Sequence, residues 1–298
     1  MLEGNKLLVY SLQNEKLSID VNLIGAELCS IKNIKTGTEF IWQANPEIWG
    51  SHAPVLFPVI GGLKNGLFIF EGKEYPMPKH GIVRNNKNIL LKSSSENHLC
   101  FSLKYSEETL KQYPFKFEFE VNYELEDETL KISYQVYNLD EGPLYFSVGG
   151  HPAFNAPLYP GETYGDYYLE FDKKQDLKTW LLNTDGLVTD KTSTVIENDD
   201  KIQLHKNLFD RDALIFKNIQ SKKVALKSKI SGTVLTVNYP DFKNLGIWAK
   251  PNAPFVCIEP WLGIADPEGT NQDLKTKEGI MELMPSETFA ASYTISIA

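Results

Sequence analysis

The chain has 298 residues, of which 42% are hydrophobic and 23% are charged, and it carries a formal net charge of −9. This composition is typical of a globular protein with a core of normal size, and the length suits one large all-β domain or two ordinary domains. Because nucleic acids and anionic lipid surfaces are bound by clustered Lys and Arg, we expect this acidic chain to bind neither nucleic acid nor membranes.

The opening residues and the cysteines indicate the compartment. The stretch MLEGNKLLVY has no basic start, apolar run or small-residue cleavage site of a signal peptide. Nor does the sequence contain an apolar run close to the ~18 residues that a membrane span requires. Cys29, Cys100 and Cys257 lack CxxC spacing, and their odd number favours reduced core thiols. We therefore expect a cytoplasmic protein.

Period-two alternation of apolar and polar residues dominates the chain. It begins in KLSIDVNLIG near the N-terminus. The stretch SEETLKQYP (106–114) is the best candidate for a helix, since a capping serine starts it and a proline soon ends it. Alternation resumes in 115–125 and, after a short polar turn, in 130–138. Two such runs predict an antiparallel hairpin with one buried face.

The later strands complete the predicted fold. Residues 233–239 and 289–297 alternate in the same way, and the last strand should pair with earlier ones. Strands and helices do not alternate, which argues against a parallel sheet. Linkers, low-complexity tracts and fixed-period repeats are also missing from the sequence. The sequence predicts an all-β fold, a large antiparallel β-sandwich, formed as a single domain over residues 1–298.

Loop-like stretches rich in Gly and Pro interrupt this pattern and carry ionisable side chains. They are 49–66, 77–87 and 254–267, together with FSVGGHPAFN (146–155). The ionisable groups in them are His52 and Lys64, His80 and Arg84, Glu259, and His151. Catalytic groups are often placed on loops above a rigid sheet. These stretches are therefore the candidate functional segments.

Two of the stretches constrain a titratable group closely. His151 follows Gly149 and Gly150 and precedes Pro152, so the backbone there can turn tightly or approach a neighbour closely. In FVCIEPWLG, Glu259 follows an apolar run, where partial desolvation would raise the pKa of a carboxyl group. The plainer interpretation of His151 is a buried, hydrogen-bonded histidine in a β-bend. The plainer interpretation of Glu259 is an ion pair on an edge strand.

The remaining motifs narrow the chemistry. The sequence has no GxSxG elbow, P-loop, HExxH or GxGxxG fingerprint. The chemistry that these absences leave open is general acid–base catalysis by histidines and carboxylates. His80, between Pro78–Lys79 and Gly81, is a loop residue, and Trp261 beside Glu259 offers a flat apolar face of the kind on which sugars stack.

PKHGIVR, FSVGGHPAFN and CIEPWLGIAD, in that order on an all-β chain, resemble the aldose 1-epimerase (galactose mutarotase-like) family, and the nearest branch resembles the LacX-type proteins. The resemblance extends over essentially the whole chain. It implies a supersandwich with an open sugar cleft and interconversion of the α and β anomers of an aldose. His80 and His151 match the family's histidines and Glu259 its catalytic carboxylate. Asp212 in FDRDALIF resembles the acceptor of a sugar hydroxyl, with Asp210 as the alternative.

The chain departs from the family at one position. Many relatives would carry Arg where PVIGGLKNG has Gly62, and that arginine is expected to help hold the sugar. Lys64 could supply a cation instead, although without the guanidinium fork, and Arg84 could supply the fork. Lys64, Arg84 and Trp261 are therefore expected to bind substrate together with Asp212.

The resemblance implies an acid–base mechanism without metal or cofactor. Glu259 would take the proton of the C1 hydroxyl, His151 would protonate the ring oxygen, and His80 would hydrogen-bond the ring oxygen or a neighbouring hydroxyl. Three alternatives stay open. They are a sugar-binding protein without turnover, an epimerase for a hexose phosphate held by Lys64, Arg84 or Arg211, and a glycoside hydrolase pairing Glu259 with Asp212 or Asp266.

Overall fold

The computed structural model describes residues 8–298. Residues 1–7, which belong to the opening stretch used above to infer the compartment, lie outside the described residues. Among the residues that are described, no helix is long and apolar enough to cross a membrane.

Strands form most of the regular structure. In the first half they are β1 (Val9–Gln13), β2 (Leu17–Asn22), β3 (Glu27–Asn33), β4 (Val55–Leu56), β5 (Leu67–Phe70), β6 (Lys73–Pro76), β7 (Leu90–Ser94), β8 (His98–Lys104), β9 (Phe117–Glu126), β10 (Thr129–Asn138) and β11 (Leu144–Phe146). In the second half they are β12 (Val148–Gly150), β13 (Ala153–Asn155), β14 (Tyr167–Leu182), β15 (Val188–Gln203), β16 (Leu214–Phe216), β17 (Lys223–Ser228), β18 (Gly232–Asn238), β19 (Asn244–Trp248), β20 (Phe255–Leu262), β21 (Met281–Leu283) and β22 (Thr288–Ile297). The helices are α1 (Glu107–Leu110) and the 3-10 turns Ile24–Ala26, Lys64–Gly66, Tyr164–Asp166 and Leu274–Thr276.

Two large antiparallel sheets dominate residues 8–298, beside the three-stranded sheet β1-β2-β3 and the two-stranded sheets β5-β6 and β11-β21. The larger has nine strands in the order β15-β14-β17-β18-β22-β10-β9-β8-β7. The smaller has the order β16-β19-β20-β12-β4, with β13 also paired to β20. Side chains from both sheets share one hydrophobic cluster that runs from Leu12 to Ile297. The predicted all-β antiparallel sandwich is confirmed, and the single domain, which this continuous core supports, stays a prediction.

The predicted hairpin forms where the alternation placed it. Strands β9 and β10 pair antiparallel with Thr129 opposite Glu126, and the apolar residues of each strand face the core. The final strand β22 pairs with β10 on one side and β18 on the other. The prediction that the last strand pairs with earlier ones is therefore confirmed.

The predicted helix is shorter than its sequence pattern. α1 covers only Glu107–Leu110, although Ser106 caps it as expected. The chain then turns so that Tyr113 becomes fully buried, and its hydroxyl donates to the backbone oxygen of Tyr145 at 2.8 Å. Burial of this aromatic side chain ends the helix before Pro114 does.

Two predicted loops are largely strand. The stretch 146–155 contains the end of β11 together with β12 and β13, and only the residues between these strands are loop. Most of 254–267 forms β20, which is central in the smaller sheet and buried along its whole length. A strand covered on both faces has no polar alternation, so its sequence did not indicate a strand. Consequently Glu259 lies in the middle of β20, opposite Gly246, and not at the end of an apolar strand. Residues 77–87 are loop as predicted, and 49–66 is loop apart from β4 and one 3-10 turn.

Candidate active site

A cavity of about 430 Å³ opens over the smaller sheet. Ligand pockets of small molecules have volumes of about this size. Residues of β16, β19 and β20 form its floor, and loops form its rim. It is lined by Trp49, Gly61, Gly62, Lys79, His80, Arg84, His151, Leu182, Gly186, Phe209, Asp210, Asp212, Ala213, Ile215, Trp248, Pro251, Glu259, Trp261 and Ala265.

Glu259 lies in the floor and is only 1% exposed. Burial raises the pKa of this carboxyl well above its ordinary value of 4.5, and the positive charge of Lys79 opposes the shift. Within the described chain, its Oε2 atom has no hydrogen-bond partner. A buried oxygen of this kind is normally satisfied, so this one is available to a ligand.

His151 follows β12 and faces Glu259. Its Nε2 atom lies 3.3 Å from Glu259 Oε2. Burial, reinforced by the charge of Arg84, lowers the pKa of His151 from 6.5 to about 3. The buried pair therefore favours its neutral form, with the shared proton on the carboxyl group. We call His151 and Glu259 the cavity pair.

The glycines before His151 permit close packing and not a tight turn. Gly149 and Gly150 belong to strand β12, and neither has a positive φ. A Cβ atom on Gly150 would lie 2.5 Å from the hydroxyl oxygen of Tyr293. The sequence indicated either a tight turn or a close approach to a neighbour at these glycines. The structure uses the close approach.

His80 occupies the loop 77–87 with a left-handed φ of 71°. The ring Nδ1 atom of His80 accepts a hydrogen bond from the backbone N–H of Gly61 at 3.1 Å. The backbone N–H of His80 donates to Gly61 O at 2.9 Å. Burial lowers the pKa of His80 well below 6.5, so the ring is neutral. Because Nδ1 accepts, the ring proton must be on Nε2, and the ring can act as a donor.

Aromatic side chains surround the cavity pair. Trp49 stacks on His151 with ring centroids 5.1 Å apart, and Trp248 meets the same ring edge-on at 5.8 Å. Trp261 also lines the cavity. The sequence interpretation missed Trp49, Trp248 and Lys79. A signal was available for the two tryptophans, since a large aromatic residue beside a Gly/Pro-rich loop has a flat face to offer a ligand.

Several predicted binding residues also reach the cavity. Arg84 lines it and donates from Nη2 to Ser51 Oγ at 3.0 Å, while its buried Nε has no partner in residues 8–298. Asp210 and Asp212 both line it. Asp210 accepts from the Asn207 amide at 2.7 Å, and Asp212 accepts a backbone N–H at 2.8 Å. The choice between these two carboxylates therefore stays open.

Other predicted residues lie elsewhere. Lys64 points away from the cavity, and its Nζ donates to Glu268 O at 3.0 Å. Arg211 is not among the lining residues of the described chain. His52 faces Glu27, with Nδ1 and Oε2 3.6 Å apart. Asp266, considered as a second glycosidase carboxylate, is ion-paired with Lys277 and does not line the cavity within residues 8–298.

Gly62 lines the rim where the family's arginine is expected. A Cβ atom there would meet nothing closer than Asp185 O at 4.0 Å. The backbone at this position is not in the left-handed region. The rim therefore has room for a side chain that this chain does not supply.

Cys257 adds a thiol near the cavity pair. The ligand atoms of His151, Cys257 and Glu259 lie within 4.8 Å of one another, so this group could hold a metal ion. Imidazole, thiolate and carboxylate are all zinc ligands. The acid–base chemistry of the cavity pair requires no metal.

A buried imidazole–carboxyl pair with an unpartnered oxygen, a neutral histidine and aromatic side chains thus line one cavity of an all-β sandwich, an arrangement suited to acid–base chemistry. The chain belongs to the aldose 1-epimerase family, since the family model described as Aldose 1-epimerase matches residues 8–273. The plasmid-encoded protein LacX of Lactococcus lactis subsp. lactis is 36% identical over 300 positions, covering 96% of this chain and 98% of the relative. The chromosomal LacX of the same organism matches equally well.

Solved structures resemble the chain over its length. A galactose mutarotase related enzyme from Lactobacillus acidophilus superposes with a TM-score of 0.93 at 37% identity, covering 98% of this chain and 97% of that one. A galactose mutarotase-like protein from Lactobacillus casei superposes with a TM-score of 0.91 at 28% identity, covering 98% and 100%. The resemblance to the family and to its LacX-type branch is thereby confirmed.

Proposed function

We propose that the protein is an aldose 1-epimerase that interconverts the α and β anomers of an aldose. One observation carries the proposal. His151 Nε2 and Glu259 Oε2 face each other at 3.3 Å in a buried cavity floor, with one of the two atoms unpartnered. Opening a hemiacetal ring needs one group to accept the C1 hydroxyl proton and another to protonate the ring oxygen. A pair that shares one proton supplies both functions.

The sugar would change where that proton lies. Burial by itself favours neutral His151 and protonated Glu259. A C1 hydroxyl that donates to Glu259 and a ring oxygen that accepts from His151 both favour the ionised form of the pair. The proton then moves from Glu259 to His151.

Ring opening follows from this ionised complex. Glu259 takes the C1 hydroxyl proton, the bond between C1 and the ring oxygen breaks, and His151 protonates that oxygen. The open-chain aldehyde forms, and the pair has returned to the neutral form that burial favours. Rotation about C1–C2 and the reverse transfers close the ring with the other configuration. His80 donates from Nε2 and stabilises charge on the ring oxygen, and no electrons leave the sugar.

Polarimetry tests the proposal. Freshly dissolved α-D-glucose and α-D-galactose are followed to anomeric equilibrium with wild type, with Glu259→Gln and with buffer alone. We expect wild type to accelerate the approach, and Glu259→Gln to lose about 10²- to 10⁴-fold of that acceleration. A Glu259→Gln variant that works at the wild-type rate contradicts the mechanism. Sugar binding without acceleration by wild type supports the alternative of a non-catalytic carbohydrate-binding protein.

A phosphorylated sugar is the second candidate substrate. Lys79 and Arg84 both line the cavity, and the buried Nε of Arg84 is unpartnered within the described chain. Guanidinium and ammonium groups bind phosphate strongly. If a hexose 6-phosphate has a much lower KM than the free hexose, and added salt reduces the difference, the phosphate is part of the substrate. Equal KM values exclude this candidate.

A further inference from the structure

A second buried pair lies just outside the cavity. Lys277 Nζ is 2.8 Å from Asp266 Oδ1, and both side chains are 3% exposed. Lys277 also donates to Ile264 O at 2.9 Å. We call Asp266 and Lys277 the clamp pair. The proton transfers proposed above do not use it, yet burying two charges is costly unless the neighbours compensate.

The clamp pair holds the rim segment that contains Gly61 and Gly62. Asp266 Oδ2 accepts the backbone N–H of Lys64 at 3.0 Å, and the Asp266 N–H donates to Gly62 O at 3.0 Å. The residue before Asp266 packs on the same segment. A Cβ atom on Gly61 would lie only 2.4 Å from the Cβ of Ala265. The segment is thus fixed by two hydrogen bonds and by a close contact.

That rim segment in turn holds His80. The Gly61 N–H donates to His80 Nδ1 at 3.1 Å, and Gly61 O accepts the His80 N–H at 2.9 Å. A neutral imidazole that accepts at Nδ1 carries its proton on Nε2. If Gly61 moved, the ring would lose the contact that selects this tautomer.

We infer that Asp266 and Lys277 are positioning residues, which fix the Gly61–Lys64 segment so that His80 presents Nε2–H to the substrate. Neither residue touches the reacting atoms. The clamp pair acts through the backbone of Gly61 on the tautomer and orientation of His80. The kinetic consequence rests on the proposed function, whereas the tautomer does not.

Nitrogen NMR of the full chain carrying ¹⁵N-labelled histidine tests the tautomer directly. In wild type we expect His80 to show protonated Nε2 and unprotonated Nδ1. In Lys277→Met we expect the His80 resonances to shift toward a mixture of tautomers. Ile132→Ala serves as the control, because Ile132 lies in the buried face of β10 and does not line the cavity within the described chain. It lowers thermal stability without touching the rim segment, so it should leave the His80 signals unchanged.

Kinetics provide the second measurement. We expect Lys277→Met to lower kcat roughly 10- to 100-fold with KM nearly unchanged, because a small misplacement of a catalytic group costs about this much. Ile132→Ala should keep the wild-type kcat at temperatures where it is folded. Asp266→Asn, which retains an oxygen to accept the Lys64 N–H, should lose less kcat than Lys277→Met.

The outcomes separate the two proposals. If wild type does not accelerate anomerisation but Lys277→Met changes the His80 tautomer, the proposed function fails and the positioning holds. If Lys277→Met and Asp266→Asn keep both the wild-type tautomer and the wild-type kcat, the positioning is wrong. If both variants fail to fold, the nitrogen NMR spectrum of wild type still tests the inference. A proton on Nδ1 of His80 in that spectrum would overturn it.

Discussion

The cavity pair and the clamp pair are both buried pairs of ionisable groups. Strand β20 supplies Glu259 of the cavity pair, and the segment after β20 supplies both members of the clamp pair. They differ in how their neighbours satisfy them. Both oxygens of Asp266 accept hydrogen bonds, from Lys277 and from the Lys64 N–H. In the cavity pair, Glu259 Oε2 and His151 Nδ1 have no hydrogen-bond partner in residues 8–298.

This difference separates a structural role from a chemical one. A charge that is fully paired and hydrogen-bonded has little reason to exchange its proton, and it can hold backbone segments in place. A buried polar group with an atom that lacks a hydrogen-bond partner costs free energy until a ligand supplies that hydrogen bond. Burial alone therefore does not identify the functional pair, whereas an unpartnered atom facing a cavity does.

The largest expected effect comes from breaking the cavity pair at the histidine. We expect His151→Asn to lower the rate of anomerisation about 10²- to 10⁴-fold, because it removes the group that protonates the ring oxygen. The variant should stay folded, since His151 Nδ1 has no hydrogen bond to lose. Polarimetry and thermal unfolding measure the two properties. Full activity in a folded variant contradicts the role given to His151.

Breaking the clamp pair should lower stability as well as kcat. We expect Lys277→Met to reduce the free energy of unfolding by about 3–5 kcal/mol, since it leaves the Asp266 carboxylate buried without its counter-charge. Urea denaturation measures this loss. Lys277→Met combined with Asp266→Asn removes that charge and should recover part of it. A single variant as stable as wild type would show that the pair does not hold the fold.

The pH dependence of stability should distinguish the pairs next. The folded pKa of Glu259 is raised above its ordinary value of 4.5, so the folded protein keeps a proton that the unfolded chain releases. Stability from this group is therefore lost as pH rises toward the folded pKa. His151 and His80 have lowered folded pKa values and act oppositely, since their contribution to stability is lost as pH falls through 6.5 and the unfolded chain takes up their protons.

A comparison of wild type with Glu259→Gln isolates the contribution of Glu259, because both proteins carry the same histidines. As pH rises from 4.5 toward the folded pKa of Glu259, we expect wild type to lose up to about 1.4 kcal/mol of unfolding free energy per pH unit relative to Glu259→Gln, the value for one proton. Glu259→Gln lacks this titrating group and should keep only the slope that the other groups produce. Denaturation curves at several pH values measure both slopes, and equal slopes contradict the raised pKa of Glu259.

The smallest expected effect is at the rim. We expect Gly62→Arg to lower KM for a free aldose about fivefold, corresponding to a hydrogen bond from a charged donor that contributes about 1 kcal/mol at a partly exposed site. The position tolerates a side chain, since the nearest atom to a Cβ there is 4.0 Å away. Gly62→Gln is the uncharged control. A higher KM for Gly62→Arg would indicate that the rim is shaped for a substrate without this contact.

Much of the fold could be predicted because a strand with one buried face alternates apolar and polar residues along its sequence. The hairpin of β9 and β10 and the terminal strand β22 alternate in polarity, and each forms where predicted. β20 could not be recognised in this way, since it is buried on both faces and its central Glu259 interrupts an apolar run. Helix α1 was overextended because local capping signals do not register the burial of Tyr113.

The sequence by itself determined the all-β class, the family and the segments that carry His80, His151 and Glu259, because strand periodicity and short motifs are local properties of the chain. Only the tertiary structure decided which of the predicted residues meet. It brought His151 to 3.3 Å from Glu259, turned Lys64 away from the cavity and paired Asp266 with Lys277. Proximity, desolvation and hydrogen-bond satisfaction depend on contacts between distant segments, and spacing along the chain does not record them.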